Sequence, residues 1–185
     1  MANKVEFGIS NLHVGTYTVS NGVATLGTPY YQKGAVSFSP EQEVNDNPFY
    51  ADDIVYWNEY TEGSFSGDLT VAMFDDAFKT QFLGYVALTD GGLAQKKGAT
   101  KSNVYVAFEV KGDAEKRRVI FYNCSLGSIV REFTTIEDTK TPNTEALAIT
   151  CVGDEPTGVM KAVYKPDDAG YSTLFTTPAA PAIAP

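Results

Sequence analysis

One histidine, two cysteines and 23 acidic side chains are the groups from which this 185-residue chain could build chemistry. A Ser-His-Asp relay would have to run through His13, with a hydroxyl at one ring nitrogen and a carboxylate at the other. His13 falls in a stretch patterned as an N-terminal strand, so a surface or hairpin histidine is expected instead. Cys124 and Cys151 sit on apolar-patterned strands; with one imidazole they fall short of the four ligands of a structural zinc site, and they read as small buried hydrophobes. Glu59 and Asp68, close to Trp57, imitate the acid pair of a β-sandwich glycosidase, which needs about 5–9 Å between its carboxyls and one of them desolvated. A solvated acidic face is the simpler expectation. Asp46, Asp52 and Asp53 offer the hard oxygen donors that suit calcium, without EF-hand spacing. Trp57, Tyr56, Tyr60 and Phe65 could stack a sugar or pack in a core or subunit contact; a flat row of rings on one face favours the sugar. Phosphate loops, dinucleotide glycine patterns, paired histidines and nucleophile elbows are all missing from the sequence. The expectation is a protein without catalysis, cofactor or metal.

The elements that would position these residues are mostly short strands. Val5 to Ile9 reads as a first strand, and His13–Val19 with Val23–Leu26 as a hairpin about Asn21-Gly22, a strong type I′ signal. Ala35–Phe38, Ile54–Tyr60 and Ser64–Phe74 alternate as strands do, the last placing Leu69 and Val71 on one face. Residues 75–83 read as a helix: Asp75 suits its N-cap, Gly84 suits the left-handed residue after its end, and Phe78 and Phe82 lie one turn apart. So short a helix must lie on a sheet. Val104–Val110, Arg117–Leu126, Ser128–Ile136, Ala146–Val152 and Val159–Lys165 complete the strand set. The sum is a mainly β fold, a sandwich or barrel with one short flanking helix. Length allows one domain, residues 1–175, followed by a Pro/Ala-rich C-terminal arm, 176–185. Residues 40–53, polar, acidic and interrupted by Pro48, read as a long loop.

Charge is segregated along the chain. No Lys or Arg occurs between Lys33 and Lys79, an interval that holds Glu41, Glu43, Asp46, Asp52, Asp53, Glu59, Glu62, Asp68, Asp75 and Asp76. Basic residues gather later, at Lys96, Lys97, Lys101, Lys111, Lys116, Arg117 and Arg118. The formal net charge of −9 disfavours nucleic acid as an attractive partner, because phosphate binding needs a basic surface. Met1–Val14 carries no apolar run, so neither a signal peptide nor a membrane helix is expected and synthesis in a cytoplasm is. Segregated charge lets copies of one chain attract head to tail, closing rings or extending filaments.

The run from Ala51 through Asp52, Asp53, Ile54, Val55, Tyr56, Trp57, Asn58 and Glu59 to Tyr60, followed by Gly67-Asp68-Leu69 and the Phe78–Gly84 helix, resembles the major tail proteins. These are the tail-tube subunits of long, non-contractile bacteriophage tails of the siphovirus type and of related prophages. Val5–Ile9 and Glu145-Ala146-Leu147 fit the same resemblance, which covers most of the chain. It departs at Asp53, where relatives often carry Asn, and at Phe65, where they often carry Tyr. The resemblance implies hexameric rings stacked into a virion tail tube around a tape-measure protein, with DNA later passing through the lumen without specific binding. It further implies contacts with tail terminator and distal tail proteins, and assembly in the host bacterial cytoplasm. On this reading Glu59 and Asp68 face the lumen. Glu41, Glu43, Asp46, Pro48, Phe49, Tyr50, Asp52 and Asp53 belong to a loop joining one ring to the next, helped by extended N- and C-terminal arms. Trp57, Leu69, Val71, Phe78 and Phe82 serve core or subunit packing. The alternative expectation is a carbohydrate- or receptor-binding β-sandwich of a tail tip.

Overall fold

Asn21 and Gly22 take positive φ angles of 51° and 75°, the backbone a tight hairpin turn requires, and fold β1 (Gly8–Ser20) onto β2 (Val23–Leu26). The computed structural model describes residues 8–133 and 142–183. After β2 come β3 (Tyr30–Tyr31), β4 (Ala35–Ala51) and β5 (Ile54–Val71), then helix α1 (Asp76–Leu83). The short pair β6 (Val86–Ala87) and β7 (Leu93–Ala94) leads to β8 (Val104–Lys111), β9 (Arg118–Arg131), β10 (Glu145–Cys151) and β11 (Lys161–Tyr164). Among the described residues nine strands form one antiparallel sheet in the order β2-β1-β8-β9-β10-β5-β4, with β3 beside β1 and β11 beside β9. The chain is mainly β with one short helix, as expected.

The sheet curls around its apolar face. Leu12 and Val14 of β1 share one buried cluster with Leu69 and Val71 of β5, Val104 and Val106 of β8, and Leu147 and Ile149 of β10. The gap between β1 and β5 is bridged by the β3 segment. There the Gln32 N–H donates to the Leu12 carbonyl (2.9 Å) and the Ala72 N–H to the Gly34 carbonyl (2.8 Å). The Gln32 side-chain amide also donates to the Met73 carbonyl at 3.1 Å.

Helix α1 lies over the same core. Phe74, Phe78 and Phe82 stack in succession with ring centroids 4.8 and 5.0 Å apart, and all three are buried. Truncating one such ring costs about 3–5 kcal/mol, so this row fixes the helix on the sheet. Gly84 ends the helix at φ 68°, as its position predicts. Asp75 precedes the first turn but makes no side-chain cap bond; its carboxylate accepts from the Tyr30 hydroxyl instead (3.1 Å). Glu145 supplies the anchor that the pattern does not announce. Buried at the start of β10, it accepts from the Phe74 N–H at 2.7 Å and from Arg131 Nη1 at 3.4 Å.

Four expectations change. Ile54–Tyr60 and Ser64–Phe74 join in the single strand β5, which ends at Val71. Residues 40–53 are not a loop: up to Ala51 they form β4, paired along its length with β5, and only Asp52 and Asp53 turn, with φ of 52° and 59°. The two stretches Arg117–Leu126 and Ser128–Ile136 join in the single strand β9 as far as Arg131; residues 134–136, like Val5–Phe7 and the last two of the C-terminal arm, lie outside the described residues. Cys124 and Cys151 are buried, as expected, but not as separate side chains: Cys124 leaves the face of Ile120 and Tyr122. Asn123 takes φ 49° at an irregularity in the β8–β9 ladder, which turns Cys124 into the main core. There it faces Cys151 across β9–β10, and the two form a disulfide rather than separate thiols.

Part of the C-terminal segment also belongs to the body. Leu174 is buried on the opposite side of the sheet against Tyr105, Ala107, Ile120 and Tyr122. Phe175 stacks on His13 at 4.4 Å, and the Arg118 guanidinium sits over both Tyr171 (3.9 Å) and Phe175 (4.3 Å). The body therefore extends at least through Phe175.

Candidate functional site

The β4–β5 hairpin outruns the sheet. Its partner β10 stops pairing where Cys151 meets Phe65, and eleven more residues of β5 continue to Ile54 at the tip, a projection of roughly 35 Å. Within it Phe49, Tyr50, Ile54, Val55, Tyr56, Trp57 and Tyr60 are each more than half exposed. Cross-strand partners share a face. Phe49 with Trp57 therefore lies on one face, and Asp46–Tyr60 with Tyr50–Val55 on the other. The rings considered as a sugar platform are thus dispersed: Trp57 and Tyr60 point to opposite faces, while Phe65 is half-buried, edge-on to Phe121 at 5.4 Å. Trp57 does not pack in the core of the isolated chain, unlike Leu69, Val71, Phe78 and Phe82, which are buried.

Glu59 and Asp68 occupy the same strand, not adjoining ones, nine residues apart, which places them roughly 30 Å from each other along β5. That spacing removes the glycosidase pair. An odd separation would also put them on opposite faces. The ladder instead skips one residue on β5, since Phe65 pairs Gln42 while Glu62 pairs Val44. The extra residue at Gly63–Ser64 restores the phase. Glu59, opposite Asn47, and Asp68, opposite Ser39, thereby join Glu41 and Glu43 on the face turned away from the core.

That face continues across β10 with small side chains. Thr70, Asp68 and Ser66 lie opposite Ala146, Ala148 and Thr150, and Ser125 follows on β9, opposite Thr150. Gly127 adds to this small-residue surface, and a Cβ there would be a tight fit, 3.0 Å from the Ala148 Cβ. β4, β5 and β10 contain no Lys or Arg. The C-terminal segment covers the sheet's outer face over β8 and the first half of β9, and leaves this acidic, small-residue part open.

The other candidate chemistry separates in the same way. Asp46 lies opposite Tyr60, several residues below the Asp52–Asp53 turn, so the three acids considered for calcium do not converge. His13 is wedged between Phe175 and Tyr31, and its Nδ1 lies 2.8 Å from the Asn11 carbonyl, which makes it a donor there. Burial lowers its pKa below the usual histidine value, opposed by that hydrogen bond and aided by nearby Arg118. This is a packing histidine, and among the described residues no hydroxyl–carboxylate relay surrounds it.

Part of the basic set is consumed locally. Arg117 pairs with Asp113 at 2.6 Å, holding that carboxyl well below the usual range, and Lys165 pairs with Glu115 at 3.0 Å. Lys96, Lys97 and Lys101 instead border a cavity of about 450 Å³ together with Leu83, Gln95 and Ser128. Sequence reasoning lists these lysines without seeing that they converge. The signal lies in Gly91-Gly92, about which the short strands β6 and β7 pair and fold the chain back on itself.

These features define a class: a curled antiparallel sheet with a helix on its core, a projecting apolar hairpin and an open acidic face. No protein-family model matches the chain, and no curated protein matches its sequence. Among solved structures it is similar to the tube-terminating cap of the anti-feeding prophage, known from cryo-electron microscopy. The identity is 9%, the TM-score 0.40, and the match covers 88% of this chain and 95% of that one. Among the described residues no helix is long and apolar enough to cross a membrane.

Proposed function

We propose that this chain is a structural, non-catalytic tail-tube subunit of a phage or prophage particle, its copies forming stacked hexameric rings around a tape-measure protein. The observation that carries the reading is the β4–β5 hairpin, which holds seven large apolar side chains in water on both of its faces. Contiguous exposed apolar surface of this extent marks an interaction site, and among the described residues nothing in the subunit covers it.

The open face supports the same reading. A conduit for DNA must not hold phosphate, and basic side chains would bind it through counterion release. Glu41, Glu43, Glu59 and Asp68 among serines, threonines and alanines, with no Lys or Arg on β4, β5 or β10, make a surface that repels it. In this arrangement the acidic face lines the bore, and the hairpin joins successive rings. Pro40 and Pro48 on the edge strand β4, beside Glu41, Glu43 and Asp46, protect that long edge from indiscriminate strand pairing. The resemblance of the Asp52–Leu69 run to major tail proteins points the same way. Tail terminator and distal tail proteins would then cap the two ends, in the virion tail.

Negative-stain microscopy of the concentrated pure protein tests the proposal. Tubes or rings of uniform diameter are expected. A protein that remains a monodisperse monomer at high concentration would rule it out.

A further inference from the structure

The pairing ladders set two features at opposite ends of the molecule. β10 aligns Glu145 with Val71 and Arg131, and Cys151 with Phe65 and Cys124. The hairpin therefore leaves the sheet beyond Phe65, toward the end where β9 begins. The Lys96–Lys101 segment sits toward the other end: Lys101 Nζ donates to the Gly127 carbonyl and the Ser128 hydroxyl, in the second half of β9. The β10 residue between these ladders, Ala148, pairs with Asp68, so the turn at Asp52–Asp53 lies roughly 45 Å from the lysine cavity along the strand direction. The hairpin points away from it, so no fold of one chain brings the two together.

Their charges match. Asp52 and Asp53 form the turn itself and have no cationic partner among the described residues. Lys96 and Lys97 are exposed and likewise lack a carboxylate partner among the described residues. The cavity that they and Lys101 border, about 450 Å³, has room for a two-residue turn.

We infer that the Asp52–Asp53 turn of one copy seats in the Lys96–Lys97–Lys101 cavity of the next. The contact is heterologous: one subunit gives its tip and receives another's at the far end, so it propagates along an axis instead of closing a dimer. The inference rests on the tube reading and names the receiving site for its hairpin.

The test uses the full chain in three forms. Lys96→Glu with Lys97→Glu reverses the cavity. Asp52→Asn with Asp53→Lys reverses the turn, and the Asn keeps a residue that tolerates positive φ. The third form combines all four changes. Each is assayed by sedimentation over a concentration series, with circular dichroism melting to verify folding. Each one-sided form should raise the concentration needed for association by about tenfold or more, and the combined form should recover most of that loss, as complementary charges across an interface do. The wild-type threshold should also rise between low and high salt, since exposed pairs are screened. One-sided forms that assemble at the wild-type threshold while wild type makes tubes would overturn this inference and leave the tube reading standing. Loss on cavity reversal alone, without loss on turn reversal or recovery in the combined form, would also overturn it, by showing that another segment fills the cavity. A wild type that never associates overturns both.

Discussion

Replacing Phe49 and Trp57 together with serine and threonine separates the hairpin's role in assembly from its role in the fold. The two side chains face each other across β4–β5 and are 57% and 52% exposed. Aromatic side chains bury about 150–250 Å² when fully covered, so each retains on the order of 100 Å² in water. At about 25 cal/mol per Å², covering that area in an assembly contributes about 2.5 kcal/mol per ring. Both lie on the same face of the hairpin, so a contact on that face covering about half to four-fifths of their exposed area contributes about 2.5–4 kcal/mol. With each 1.4 kcal/mol worth a factor of ten, the assembly threshold should rise between about 10² and 10³-fold. Within the monomer the same pair is one cross-strand contact, worth about 0.2–1 kcal/mol, far from the Phe74–Phe82 core. Thermal melting of the isolated subunit should therefore stay almost unchanged, while sedimentation shows the threshold moving by two to three decades. An unchanged threshold would refute the reasoning. So would a large loss of monomer stability, because these side chains would then be part of the fold and not a surface awaiting a partner.

Two further outcomes follow from the body of the subunit. Glu145→Ala removes the acceptor for the Phe74 N–H and the partner of Arg131. Hydrogen bonds to charged groups are worth about 1.5–3 kcal/mol, so denaturant unfolding should shift by about that much, and Glu145→Gln should recover part of it through the Phe74 bond. A Glu145→Ala protein as stable as wild type would exclude the anchoring role. His13 titrates below its ordinary value of 6.5 in the folded chain because it is partly buried. The unfolded chain therefore takes up the proton first, so His13 carries no penalty above pH 6.5 and a growing one as pH falls below it. Melting temperature should decline from pH 7.5 to 5.5, and less steeply in His13→Gln; equal slopes would show that the Phe175–His13–Tyr31 stack does not resist protonation.

What the sequence reveals here follows the core. Wherever one face of a strand is buried, alternation is visible, as in Val104, Val106, Phe108 and Val110, or Leu69 and Val71. The helix announces itself through Phe78, Phe82 and Gly84. Legibility fails where burial does not impose a pattern. Residues 40–53 lack alternation and contain two prolines, so they resemble a loop, yet they form an edge strand projecting beyond any core, where both faces are wet and proline is tolerated. Phase errors are equally invisible. The extra residue at Gly63–Ser64 decides that Glu59 shares a face with Asp68, and the turn of backbone at Asn123 decides that Cys124 meets Cys151. Neither shift leaves a compositional trace, because a bulge is defined by the partner strand and not by the residues in it.

That residues 40–53 belong to a paired hairpin and not to a loop changes the energetics of the proposed association. Ordering a flexible segment of the same length on contact would cost about 1–2 kcal/mol per residue in backbone entropy, enough to cancel the gain from several buried rings. β4 and β5 are already paired from Ala35–Val71 to Ala51–Ile54, so most of that cost is met when the subunit folds. The root is tight as well: a Cβ on Gly67 would lie 2.0 Å from the Ser39 carbonyl oxygen, against backbone that no rotamer change can move. On the proposed reading, a rigid apolar spike lowers the threshold for tube growth, but it also exposes free subunits to premature contact. The acids on and around the hairpin answer that hazard. Glu41, Glu43, Asp46, Asp52, Asp53, Glu59 and Glu62 would repel a second hairpin laid against the first, which under the inference above leaves the basic recess at the far end of another copy as the favoured destination.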